Sequence, residues 1–165
     1  VDVDDAAAMQ IALAEASAAF HEGEVPVGAV LVMDGVVVAR DHNRVEALAS
    51  PAAHAEMLVL GALPGEVRRN LGSATLYVTL EPCLMCAGAI LLNRVGRVVY
   101  GCDDPKSGAV RSLFAVLTDP RLNHRCQVVP GVQAEASAGM LKRFFEALRS
   151  AKGDRHRRDA NDPER

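Results

Sequence analysis

The sequence predicts an α/β domain in which helices cover both faces of a mixed sheet of about five strands. Three features carry that expectation. Residues 25–33 and 36–40 are β-branched runs joined by Asp34-Gly35, and a two-residue Asp-Gly link marks an antiparallel hairpin because both turn residues tolerate positive φ. Downstream, short apolar runs alternate with segments of helical periodicity, the pattern of crossover connections and parallel pairing. With 165 residues, half of them apolar and 24% charged, the chain suits one core of ordinary size and is too hydrophobic for disorder.

The elements follow in order. Residues 5–22 set Met9, Ala12, Leu13, Ala16 and Phe20 on one helix face behind Asp4 and Asp5 as capping acids. After the hairpin, residues 41–50 have loop composition, and Ser50-Pro51 opens a helix that Pro64-Gly65 stops near Leu63. Residues 74–80 read as a strand, 82–93 as a helix and 97–101 as a strand. Loops at 103–108 and 118–125 flank a short element around Leu113. Residues 127–129 form a last strand, and residues 134–151 a final helix with Met140, Leu141, Phe144, Phe145 and Leu148 on its buried side. Residues 1–151 therefore make one domain, and residues 152–165, polar throughout, are expected to be a disordered C-terminal tail.

The net charge of −3 hides an asymmetry: residues 1–66 hold eleven acids against Arg40 and Arg44, so the basic residues concentrate in the remainder. A pI of 5.9 argues against nonspecific duplex binding, yet a basic half can still form a local footprint on a nucleic acid. Equally, these charges suit a solvated surface. The apolar runs fall well short of the roughly 20 residues that span a bilayer. The first residues, Val1 to Asp5, lack the basic region of a signal peptide, so a cytoplasmic location is expected. Four cysteines, at 83, 86, 102 and 126, are few for a disulfide scaffold.

His54-Ala55-Glu56 and Pro82-Cys83-Leu84-Met85-Cys86 each stand at a predicted helix start, where free N–H groups and the positive dipole end favour thiolates. Two cysteines three apart share one side of a helical turn. With His54 they make three ligands, the number of a catalytic zinc site that keeps a fourth position open; a structural site takes four. Glu56 then stands as the proton carrier. Other readings of the same residues remain: Cys102 and Cys126 completing a four-cysteine zinc site, a redox dithiol at Cys83 and Cys86, or His54 as an ordinary structural residue.

The joint pattern, HxE and then PCxxC after 25 intervening residues, is the signature of zinc-dependent nucleobase deaminases. The chain resembles the bacterial tRNA-specific adenosine deaminases, the TadA family, from about Met9 to Leu148. The resemblance is carried by EVPVGAVLV at 24–32, Asn43-Arg44, AHAE at 53–56, ATLYVTLEPCLMCAGAI at 74–90, RVGRVVYG at 94–101, DPKSGA at 104–109, Asn123-His124-Arg125 and Phe144-Phe145. It implies a cytidine-deaminase-like three-layer α/β/α fold and conversion of adenosine to inosine at the wobble position of the tRNA-Arg(ACG) anticodon. It also implies one Zn2+ per subunit on His54, Cys83 and Cys86, with a bound water or hydroxide, and Glu56 as the catalytic acid and base. For the substrate it implies Asn43 on the flipped base, backbone N–H groups near Ala55 and Cys83 orienting it, and Val27 and Leu80 as apolar walls. Asp104, Lys106 and Ser107 would lie beside the RNA backbone, with Asp104 at the neighbouring 2′-hydroxyl. Arg121, Asn123, Arg125, Lys142 and Arg143 would be further tRNA contacts, and the enzyme a homodimer.

HxE with PCxxC is shared by deaminases of free guanine, cytosine and cytidine, which form the nearest alternative. A non-catalytic zinc-stabilised RNA-binding module, with Glu56 as a capping or surface acid, is the alternative from another class. The chain departs from the family in three places: Val45 stands where many members have proline, Asp41-His42 lacks the aromatic residue that often precedes the asparagine, and Cys102 replaces a small apolar residue.

Overall fold

A computed structural model describes residues 3–160. In it, α1 (Asp5–His21) leads into β1 (Gly28–Met33) and β2 (Val36–His42), followed by α2 (Ala55–Gly61), a single turn α3 (Gly65–Arg68) and a 3-10 turn, Leu71–Ser73. Then come β3 (Ala74–Leu80), α4 (Leu84–Leu92), β4 (Arg97–Cys102), β5 (Gln127–Val129) and α5 (Ala134–Ala160). The five strands form one mixed sheet in the order β2-β1-β3-β4-β5. β1 runs antiparallel to β2 and β3, whereas β3, β4 and β5 are parallel.

The hairpin turn forms as its chemistry demands, with Asp34 at φ 49° and Gly35 at φ 74°. Side-chain alternation then sorts the core into two layers. Val30, Val32, Tyr77 and Val99 face α1, with Val129 and Met140 packed alongside. Ala29, Leu31, Leu76, Val78, Val98 and Tyr100 face the other way and pack with Val59 and Leu60 of α2 and Ala87 and Ile90 of α4. The three-layer α/β/α expectation is met, and both layers contain residues with no exposed surface.

Several boundaries differ from those read in the sequence, each for a local reason. β1 begins at Gly28, not at residue 25, because Val27 N donates to Val25 O at 2.8 Å and bends the chain out of the sheet. α2 begins at Ala55, since turns at 50–54, closed by Ala53 N to Ser50 O and His54 N to Ala52 O, occupy what the Ser50-Pro51 signal suggested as helix. Likewise α4 starts at Leu84, with Cys83 as its N-cap. The short element around Leu113 is a set of turns; Leu113 N donates to Gly108 O at 2.9 Å. α5 continues through residues 152–160, where a disordered tail was expected. The described side chains of that extension are all exposed, so backbone hydrogen bonds, good helix formers such as Lys and Arg, and Arg157 and Arg158 in the last turn sustain it without a core. Residues 161–165 of that expected tail lie outside the described residues. Finally, Phe145 and Leu148 are 40% and 41% exposed rather than buried, while Phe144 is buried. None of the described helices is long and apolar enough to cross a membrane.

Candidate active site

Two helix N-termini meet below the C-terminal end of β3. His54 is the N-cap of α2, and Cys83 is the N-cap of α4, which places Cys86 in the first turn. His54 Nδ1 lies 3.6 Å from Cys83 Sγ and 3.5 Å from Cys86 Sγ, and the three donor atoms all fall within 4.8 Å of one another. Tetrahedral zinc with ligands at about 2.0 Å (nitrogen) and about 2.3 Å (sulfur) requires nitrogen-to-sulfur separations of about 3.5 Å. The donor set and its spacing therefore fit that ion. Cys102 and Cys126 do not join the cluster: Cys102 Sγ faces Thr79 O at 3.8 Å and Cys126 Sγ faces Val95 O at 3.1 Å. The four-cysteine alternative fails on that separation, because the two thiols are buried elsewhere among core residues.

The protonation pattern follows from this crowding. The Cys83 thiol is held down at about 4 by the hydrogen bond from Cys86 and, against its own burial, by His54, while Cys86 is pushed up by sharing its proton with Cys83 and by burial. Glu56, on the first turn of α2 and 4% exposed, has its carboxyl raised by burial. A buried carboxyl with a raised pKa beside three metal donors is suited to carry a proton in either direction at neutral pH.

Above these groups opens a cavity of about 590 Å³. Of the residues singled out in the sequence, Val27, Asn43, His54, Ala55, Glu56, Leu80, Cys83, Asp104 and Ser107 all line it. Cys86 sits fully buried behind His54. Lys106 is not brought in: it is exposed, and only its backbone N–H engages the loop by donating to Asp104 Oδ1 at 3.1 Å. Arg121, Asn123, Arg125, Lys142 and Arg143 are exposed outside the cavity, Arg121 paired with Asp119 at 2.6 Å.

Two parts of the site were missed from sequence. One is the wall formed by Phe144, Phe145 and Leu148 of α5; the excess of apolar residues over what one helical stripe buries was the available signal. The other is Glu81, whose carboxylate accepts from the backbone N–H groups of Asp104, Val110, Arg111 and Ser112 at 3.0–3.1 Å and from the Ser112 hydroxyl. Burial would raise its pKa, but these bonds outweigh burial and hold it at about 2. Gly108 admits that carboxylate: a Cβ there would stand 2.3 Å from it. The loop bearing Asp104 and Ser107 is thereby folded around one buried anion.

Other possible metal donors, Glu15, Asp41 and His42, also cluster, but both His42 ring nitrogens already face carboxylates at 2.9 Å.

The chain is similar to known deaminases in sequence and in fold. The family model described as MafB19-like deaminase matches residues 3–149. A tRNA-specific adenosine deaminase of Bacillus subtilis is 49% identical over 149 residues, covering 87% of this chain and 90% of that protein. One from Aquifex aeolicus is 43% identical, covering 86% and 94%. A structure solved in work on A-to-I editing by tRNA:A34 deaminases at the wobble position of transfer RNA superposes with a TM-score of 0.76 at 45% identity, covering 81% of this chain and 97% of that one. A guanine deaminase from Nitrosomonas europaea shares the fold, with a TM-score of 0.70 at 23% identity, covering 87% of this chain and 86% of that one.

Proposed function

The chain belongs to the MafB19-like deaminase family and, within it, to the tRNA-specific adenosine deaminases, and from this we propose a zinc-dependent hydrolase that converts adenosine to inosine at the wobble position of the tRNA-Arg(ACG) anticodon. The observation that carries the reading is the convergence of His54, Cys83 and Cys86 with buried Glu56 at one cavity large enough for a nucleoside.

His54, Cys83 and Cys86 would hold a zinc ion, which would supply the Lewis acidity that lowers the pKa of a water to about 7. Glu56 takes one proton from the attacking water and delivers it to the ring nitrogen beside the amine-bearing carbon, then takes the remaining proton from the hydroxyl now on that carbon and delivers it to the amino group, which departs as ammonia. One C–O bond forms and one C–N bond breaks, so the carboxylate ends as it began. Asn43, 7% exposed, hydrogen-bonds the extruded base between the Val27 and Leu80 walls, and N–H groups near Ala55 and Cys83 orient it. An unpaired anticodon nucleotide suits a site that must receive a base out of its stack. Asp104 spends one oxygen on the Lys106 and Ser107 N–H groups, and its other oxygen is assigned to a neighbouring 2′-hydroxyl; Lys106, off the cavity, is left to the phosphate backbone.

A homodimer is supported by an apolar strip along α4, where Leu84, Met85 and Leu92 are 54%, 37% and 86% exposed, with Leu113 and Phe114 also exposed. The deaminase domain is taken as residues 1–151, with 152–165 an appendage, and a tRNA substrate implies work in the cytoplasm. The test is inosine formation in an adenosine-containing tRNA-Arg anticodon stem-loop, beside Glu56→Ala, with guanine and cytidine as competitors. Inosine from the wild type alone is expected; ammonia from guanine or cytidine without inosine would keep the chemistry and overturn the substrate.

A further inference from the structure

His42 departs from the aromatic residue expected before the asparagine, and its surroundings are unusual. It is 4% exposed at the end of β2, with Nδ1 2.9 Å from Glu15 Oε2 and Nε2 2.9 Å from Glu22 Oε2, both on or capping α1. Only the doubly protonated imidazolium donates from both nitrogens. The approach of α1 that makes this possible depends on Gly28, the β1 partner of His42. A Cβ at Gly28 would fall 2.0 Å from Ala12 O and 2.8 Å from Glu15 Cβ.

Asn43 follows directly. Its N–H donates to Val27 O at 3.0 Å, and its neighbour Arg44 donates from Nε to Asp41 Oδ1 at 2.8 Å. Asp41 Oδ1 also accepts from the His42 N–H at 2.8 Å. Asn43 is thus flanked on both sides by residues tied to one charge network centred on buried His42. We propose that His42 is a positioning residue: its imidazolium, clamped between Glu15 and Glu22, holds the end of β2 against α1 and so fixes Asn43 where it meets the base.

The inference rests on the deaminase reading above, because Asn43 is taken as the base-recognising group. The charged groups around His42 are Glu15 and Glu22 from α1, Arg40 and Asp41 from β2, and Arg44 beyond it; Arg40 lies 3.4 Å from Glu15, and Asp41 lies 3.8 Å from His42 Nδ1. β1 offers only Gly28 at that register, and α2, which also packs on β2, has Glu56 as its one charged residue. Burial lowers the His42 pKa, and the bonds to Glu15 and Glu22 more than offset it, leaving it above the ordinary 6.5. The clamp is therefore closed below that pKa and opens as pH rises through it.

The experiment measures KM and kcat for inosine formation on the anticodon stem-loop from pH 6 to 9 in wild type, His42→Gln and Glu22→Gln, and the His42 pKa and Asn43 side-chain amide signals by NMR. Expected are a wild-type KM that rises through the His42 pKa with kcat changing less than about twofold, and the same midpoint moved to lower pH in Glu22→Gln. His42→Gln should show a pH-independent KM raised roughly tenfold, the size of a modest coupling between sites. A KM in His42→Gln within twofold of wild type, or a profile that stays put in Glu22→Gln while the His42 pKa moves, overturns the proposal. The Asn43 amide signal, which needs no substrate, must titrate with His42; if it does not, the clamp is wrong even where catalysis is intact. A wild type that makes no inosine at any pH instead counts against the deaminase reading, and the amide titration still decides the clamp.

Discussion

Glu56 and Glu81 are the same residue type, 4% and 2% exposed, both lining one cavity, and they are driven in opposite directions. Glu81 accepts from four backbone N–H donors and a hydroxyl, so its pKa is held at about 2 despite burial. Glu56 sits on the first turn of α2 among the metal donors, and burial prevails, raising its pKa. Burial alone does not separate a structural carboxylate from a chemical one; the supply of committed donors does. An anion with every lone pair occupied organises a loop, whereas one with capacity to spare exchanges protons.

The largest effect that tests this contrast is on turnover. Glu56→Gln is expected to lower kcat by at least about 10³-fold, within the range for a lost general acid and base, with metal content and urea-unfolding stability retained. If stability falls instead, Glu56 is also a structural anion and the distinction collapses. Glu81→Gln should do the reverse, costing about 3 kcal/mol of stability at pH 7 in urea unfolding, the scale set by moving a carboxyl from 4.5 to about 2, while its activity loss appears mainly in KM.

The pH dependence sharpens the same point. A depressed folded-state pKa contributes stability that is complete above the unfolded value near 4.5 and disappears as pH falls toward about 2. The stability gap between wild type and Glu81→Gln should therefore be constant from pH 7 to about 5.5 and close between about 4.5 and 2. A gap that persists at pH 2 would mean that packing, not charge, is what Glu81 contributes. Ser112→Ala removes one of five donors and should cost about 1 kcal/mol. Smallest of all, ending the chain at Ala151 removes a segment whose described side chains are exposed; stability should change by less than about 0.5 kcal/mol, read by thermal unfolding.

Much of this protein was legible before folding because it depends on local chemistry. The Asp34-Gly35 hairpin, the strand at 74–80, the cap at Asp4 and the grouping of His54, Cys83 and Cys86 with Glu56 each depend on neighbours within a few residues or on a fixed motif. Helix starts were less legible: Ser50-Pro51 is a sound local signal, yet the helix waits until Ala55, because the turns before it place His54 at the cap facing Cys83.

Sequence by itself determined the layer pattern, through apolar periodicity, and the His54, Cys83 and Cys86 cluster that could hold a metal, through residue type and spacing. Only tertiary structure decided which side of α5 faces the cavity, that Glu81 gathers the loop at 104–112, and that His42 lies between two carboxylates of a helix about twenty residues away. The physical reason is common to all three. Each depends on where partners distant in the chain end up, and hydrogen-bond satisfaction and field strength are set by those partners, not by the residue that carries the charge.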